Sequence, residues 1–135
     1  MPRILIAGTS AAIDNFTRAL EQHAVLIPAR SVQEALQLSE QDIDAVLCNV
    51  RFDESRMFEF LQGLNLKTRE RRIPVICVRL YRAFSPTTLL AVTEALEVVG
   101  VTRFVDLYDL REREGLEVAL TRLREAMLEE VAKAR

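Results

Sequence analysis

Five short apolar runs, each followed by a segment with apolar residues at helical spacing, limit how this chain of 135 residues can fold. The runs are Arg3 to Ala7, Ala24 to Ile27, the first half of Asp44 to Asp53, Ile73 to Val78 and Thr102 to Leu107. The third is rich in branched residues and bounded by charged and polar ones. That composition marks a strand buried on both faces, in the middle of a parallel sheet. Strands joined by crossovers of helix length run parallel, with right-handed connections and helices on both faces. The expected architecture is a doubly wound α/β domain spanning residues 1–135, with no internal repeat or linker. A chain of this length can enclose one sizeable core.

The helix boundaries carry local signals. Thr9 and Ser10 can cap a first helix that runs to about Gln22, with Ile13, Phe16 and Leu20 on one face. Pro28 is expected to stop the second strand. Ser31-Val32-Gln33-Glu34 is a capping box, and Val32, Ala35, Leu36 and Ser39 give the next helix a narrow packing face. A helix from Ser55 to Leu64 turns Met57, Phe60, Leu61 and Leu64 inward, and Asn65 to Arg72 reads as a polar connector. Pro74 sits at the start of the fourth strand, where a sheet tolerates a missing N–H. Ser85-Pro86 is a cap followed by proline at the first helical position. Leu89, Val92, Leu96 and Val99 then line one face up to a stop at Gly100. Asp109-Leu110-Arg111-Glu112 reads as a capping box opening the last helix, with Leu116, Leu120, Leu123 and Met127 buried. The charged tail from Glu129 to Arg135 is expected to fray.

Composition excludes several classes of function. The 18 basic and 20 acidic residues leave a formal net charge of -2, which gives no general pull toward nucleic acid or anionic membrane. No apolar run approaches the ~20 residues that span a bilayer. The chain enters a strand almost at Met1, leaving no room for a signal peptide, so a cytoplasmic protein is expected. Cys48 and Cys77 fall inside strands and read as small core hydrophobes. A redox pair would require those two strands to be neighbours, and no CxxC motif or flanking base is present. His23, the only histidine, falls at a helix end and reads as a surface residue. The cluster Lys67-Thr68-Arg69-Glu70-Arg71-Arg72 lacks interleaved aromatics and reads as solvated connector. No GxSxG, HExxH, Walker loop or GxGxxG occurs, so neither an enzyme nor a bound cofactor is expected.

In open α/β sheets, ligands and chemistry sit beyond the carboxyl ends of the strands. Asn49 ends the third strand and therefore occupies that place. At this point the chain resembles a known family. Asp44-Ala45-Val46-Leu47-Cys48-Asn49-Val50-Arg51-Phe52-Asp53 is similar to the phosphoacceptor strand of bacterial response-regulator receiver domains of the chemotaxis-regulator type. Ile73 to Val78 resembles their fourth strand, and Gly100 to Val105 their entry to the fifth. The resemblance runs from Arg3 to about Leu128 and implies a flavodoxin-like five-stranded sheet in the order 2-1-3-4-5.

The resemblance also implies a set of functional positions, and the chain departs from each of them. The acidic pair that binds magnesium in receivers corresponds to Gly8 and Thr9, and the phosphoacceptor aspartate to Asn49. The hydroxyl residue ending the fourth strand corresponds to Arg79, the lysine ending the fifth to Leu107, and the usual following proline to Tyr108. Only Phe104 matches, at the switch aromatic. The segment from Arg79 to Gly100 is also longer than usual, which implies a fourth helix that starts late or has an extra turn. Phosphoryl transfer to a carboxylate needs the carboxylate as nucleophile and a metal against the phosphoryl charge. An amide at position 49 cannot supply the first, and Gly8 and Thr9 lack the carboxylates that magnesium prefers.

These losses point to a pseudo-receiver, a receiver-like domain that is not phosphorylated and works by binding protein as a docking or dimerisation module in signalling. In receivers the output face is built from the fourth helix, fifth strand and fifth helix. Here that face would include Leu90, Glu94, Phe104, Tyr108 and parts of Arg111 to Arg124. The partner would be a signalling protein, a second copy or both. The alternative is a small-ligand sensor that holds a phosphate or nucleotide between Gly8-Thr9-Ser10 and Arg79. Against it, Gly-Thr-Ser before a helix is also an ordinary cap, and a strand-end arginine can pair with Asp53 or Asp106.

Overall fold

In the computed structural model, which describes residues 1–68, 71, 73–81 and 85–134, the apolar runs pair as one sheet. The strands are β1 (Arg3–Ala7), β2 (Val25–Ala29), β3 (Ala45–Asn49), β4 (Val75–Arg79) and β5 (Arg103–Asp106). All pair parallel in the order β2-β1-β3-β4-β5, the flavodoxin-like arrangement. The helices are α1 (Ser10–Leu20), α2 (Val32–Leu38), α3 (Phe52–Ser55), α4 (Met57–Thr68), α5 (Pro86–Val98), α6 (Leu107–Glu114) and α7 (Leu116–Ala134). Strand side chains alternate between the two faces, and both sets are apolar. Ile4, Ile6, Leu47, Ile76, Val78 and Val105 pack with α1 and α7. Leu5, Ala7, Val46, Cys48, Val75 and Cys77 pack with α2, α4 and α5.

Four boundaries differ from the sequence reading. Pro28 lies within β2 and does not end it. Val25 donates to the Pro2 carbonyl at 2.8 Å and Gly8 to the Ala29 carbonyl at 3.1 Å. Residue 28 therefore faces outward on an edge strand, where its missing N–H costs no ladder bond. The helix that begins near residue 57 continues past Leu64 to Thr68, whose buried hydroxyl donates to the Leu64 carbonyl at 2.8 Å. The start of that segment is a separate turn, α3, in which Asp53 has φ 47°. Its carboxylate accepts the Val32 N–H at 2.8 Å, a bond that ties this left-handed residue to the first turn of α2.

The third and fourth differences concern the end of the chain. β5 stops at Asp106, whose side chain caps α6 by accepting the Asp109 N–H at 3.0 Å. The cap thus falls three residues before Asp109, and Leu107 opens a helix instead of ending a strand. Gly115, at φ 90°, separates α6 from α7. The tail is helical as far as the described residues reach. α7 runs to Ala134, Val131 is buried in the core, and Glu130 pairs with Arg103 at 3.5 Å and Lys133 at 3.6 Å. From the basic cluster, Lys67 pairs with Glu40, and Arg71 donates to the carbonyls of Ser39 and Gln41 at 2.8 and 2.7 Å. Arg69, Glu70 and Arg72 lie outside the described residues.

Candidate functional site

Parallel order brings the ends of β1, β3, β4 and β5 to one rim of the sheet. Asn49, ending the central strand, is buried with 1% of its surface exposed. Its Oδ1 accepts the Thr9 backbone N–H at 3.4 Å. Thr9 caps α1 through its own hydroxyl, which accepts the Ala12 N–H at 3.3 Å. The amides at the start of α1 are thus partly spent on internal partners. Gly8 closes the arrangement. A Cβ at position 8 would lie 2.8 Å from Ala12 Cβ and 2.9 Å from Asn49 Oδ1, closer than such atoms approach.

Arg79 ends β4 directly across from Asp106, the last residue of β5. Its side chain is largely buried and donates to Asp106 Oδ2 at 2.9 Å and to the Tyr81 carbonyl at 3.3 Å. The guanidinium also lies over the Tyr108 ring, 5.0 Å from its centroid, and Arg111 approaches the same ring at 5.7 Å. Asp106 uses both oxygens, one on Arg79 and one on the α6 cap. Of the two acidic partners open to Arg79 in the sequence, Asp106 takes it, while Asp53 holds Val32 and Arg56. Asn49 and Thr9 therefore meet, while Arg79 turns toward β5 and α6.

Leu107 is 2% exposed and packs in the core with α1 and α7. Phe104 is half-buried against the α5 side of the sheet. Leu90 and Glu94 are exposed on α5, and Tyr108 is half-buried at the start of α6. The role of Asp106 as a cap and the stack of Arg111 on Tyr108 were not visible in the sequence. The first depends on where β5 stops, and the second on α6 starting there.

The chemistry that this rim can support follows from its atoms. Gly8, Thr9 and Asn49 offer neutral oxygens at most, and position 8 has no room for a side chain. They do not fit a magnesium ion, which takes hard oxygen ligands with carboxylates among them. Among the described residues, no group of three or more His, Cys, Asp or Glu is placed to hold a metal. Cys48 and Cys77 sit across from each other on neighbouring strands, so the geometric condition for a redox pair is met. Both are fully buried, and burial together with the Cys77 contact pushes the Cys48 thiol well above its ordinary pKa, away from the reactive thiolate.

Comparison with solved structures matches this arrangement to one kind of domain. The chemotaxis response regulator CheY4 of Vibrio cholerae superposes with a TM-score of 0.69 at 16% identity, covering 93% of this chain and 98% of that one. The CheY-like receiver domain protein of Methanospirillum hungatei gives 0.68 at 18% identity, covering 98% of both chains. The fold is that of a receiver domain. The phosphorylated cyanobacterial phytochrome response regulator RcpA shares this receiver fold too, with a TM-score of 0.67 at 12% identity over 93% of this chain and 90% of that one. No protein-family model matches the chain, and no curated protein matches it in sequence. At such identities the receiver fold is what is shared, and the rim residues speak for themselves. Among the described residues, no helix is long and apolar enough to cross a membrane.

Proposed function

We propose that this chain is a receiver-like signalling domain that is not phosphorylated and acts by binding protein. The observation that carries the reading is the state of the acceptor position. Asn49 is a buried amide whose oxygen is bonded to the Thr9 N–H, and the place of the metal-binding side chain at Gly8 is filled by Ala12 and Asn49 themselves. A receiver that has lost its nucleophile and the room for its metal keeps a rigid scaffold with a surface. The surface that supports a binding role is built from α5, β5 and α6, with Leu90 exposed and the Tyr108 ring approached by two arginines. Two measurements test this. Incubation with acetyl phosphate and magnesium should leave the intact mass unchanged. Affinity capture and sedimentation should reveal a protein partner or a dimer that Leu90→Asp weakens. A phosphoryl adduct on the wild-type protein, or a chain that stays monomeric and captures nothing, would overturn the proposal.

A further inference from the structure

Helix α5 carries apolar residues on two sides. Val92, Leu96 and Val99 pack on the core. The opposite side carries Thr87, Leu90, Ala91, Glu94, Glu97 and Val98, all exposed and repeating at three- and four-residue intervals. Leu90 is 61% and Val98 87% exposed. A helix facing only water would place polar residues there. The charges on this helix are one-sided. From Ser85 to Thr102 the only charged residues are Glu94 and Glu97, and neither has an ion-pair partner among the described residues. With these two set aside from the 20 acidic residues, 18 remain against 18 basic ones. Both lie in the C-terminal half of α5, where the helix dipole is negative and the last turn has no basic residue.

We infer that the outer face of α5 docks a basic amphipathic helix of a partner protein. This rests on the reading of the chain as an interaction module and names the chemistry of its partner. A helix with apolar residues at the same intervals, flanked by Lys or Arg, buries Leu90 and Val98. It also neutralises two glutamates that sit at the wrong end of their own helix. A second copy is less well matched in charge, because its α5 offers glutamates and no basic residue to Glu94 and Glu97. Nucleic acid and anionic lipid meet repulsion from the same glutamates.

The test uses a labelled synthetic amphipathic peptide of about four helical turns, with leucines on one face and lysines on its flanks, and a twin with glutamate for lysine. Fluorescence anisotropy against the full chain should show the lysine peptide bound more tightly by roughly ten-fold or more. Glu94→Gln/Glu97→Gln should erase that preference, while Asp14→Asn/Glu21→Gln, which removes equal charge from α1 and its C-cap, should not. Leu90→Asp/Val98→Asp should abolish binding, with an unchanged thermal melt showing that the fold survives. Equal binding of the two peptides, or binding indifferent to Glu94 and Glu97, overturns the inference. Sedimentation of the same variants separates the two levels. A dimer dispersed by Leu90→Asp would keep the interaction reading and sink the basic partner. No peptide binding and no self-association at this face would sink both.

Discussion

Gly8→Ala tests the closed rim with one methyl group. The new Cβ would stand 2.8 Å from Ala12 Cβ and 2.9 Å from Asn49 Oδ1. Neither neighbour yields easily. Ala12 Cβ is fixed to the interior of α1 and fully buried, and Asn49 is buried and bonded to Thr9. Overpacking of this kind costs about 1–3 kcal/mol. For a domain of this size that lowers the melting temperature by roughly 3–5 °C per kcal/mol. Backbone strain does not contribute, since Gly8 is not among the glycines with positive φ. Ala12→Gly removes one of the two contacts at a cost of its own, about 1 kcal/mol for glycine within a helix. The two changes should therefore couple. Gly8→Ala in the Ala12→Gly background should cost less than in the wild type, by on the order of 1 kcal/mol. The assay is urea denaturation of the four proteins of the cycle. Simple additivity, or a Gly8→Ala protein as stable as wild type, would refute the claim that this space is filled. The same geometry bears on repair. Gly8→Asp adds the forbidden Cβ and a carboxylate beyond it, so an acidic pair at positions 8 and 9 needs Ala12→Gly as well as Gly8→Asp and Thr9→Asp, and a nucleophile needs Asn49→Asp besides.

Asn49→Asp alone should gain no adduct of about 80 Da from acetyl phosphate and magnesium by mass spectrometry, because the metal site is absent and Arg79 is already engaged by Asp106. An adduct at position 49 of that variant would show the rim to be more open than this. Asp106→Ala should cost about 2–4 kcal/mol, less than for a fully buried pair because Asp106 is partly exposed. It strands the Arg79 charge and uncaps α6 together. Asp106→Asn keeps the cap and should cost less, and equal losses for the two in chemical denaturation would contradict the assignment of both roles to this residue. Cys48 and Cys77 should resist a thiol reagent in the native protein and both react in denaturant, since both are fully buried. Rapid native labelling would mean that β3 and β4 open locally.

The order of elements, the parallel sheet and most core residues were legible in the chain because they depend on local patterns. Apolar period two or three to four, a capping serine and a stop glycine each act within a few residues. That the end of β3 offers an amide and no carboxylate was legible for the same reason, since an amide at position 49 is an amide in any conformation. The boundaries at Pro28 and the tail were not, because each is decided by a neighbour distant in sequence. Pro28 needed an outer edge, and Glu130 needed Arg103. The fate of Arg79 is the clearest case. Its sequence allowed two acidic partners or water, and a guanidinium on a long flexible stem has no local preference among them. Only the register that sets Arg79 across from Asp106, 27 residues away, places one carboxylate at 2.9 Å and an aromatic face at 5.0 Å, and so turns the charge away from Asn49. Steric closure at Gly8 is likewise tertiary. A glycine in sequence reads as freedom, and only the approach of α1 and β3 makes it an exclusion.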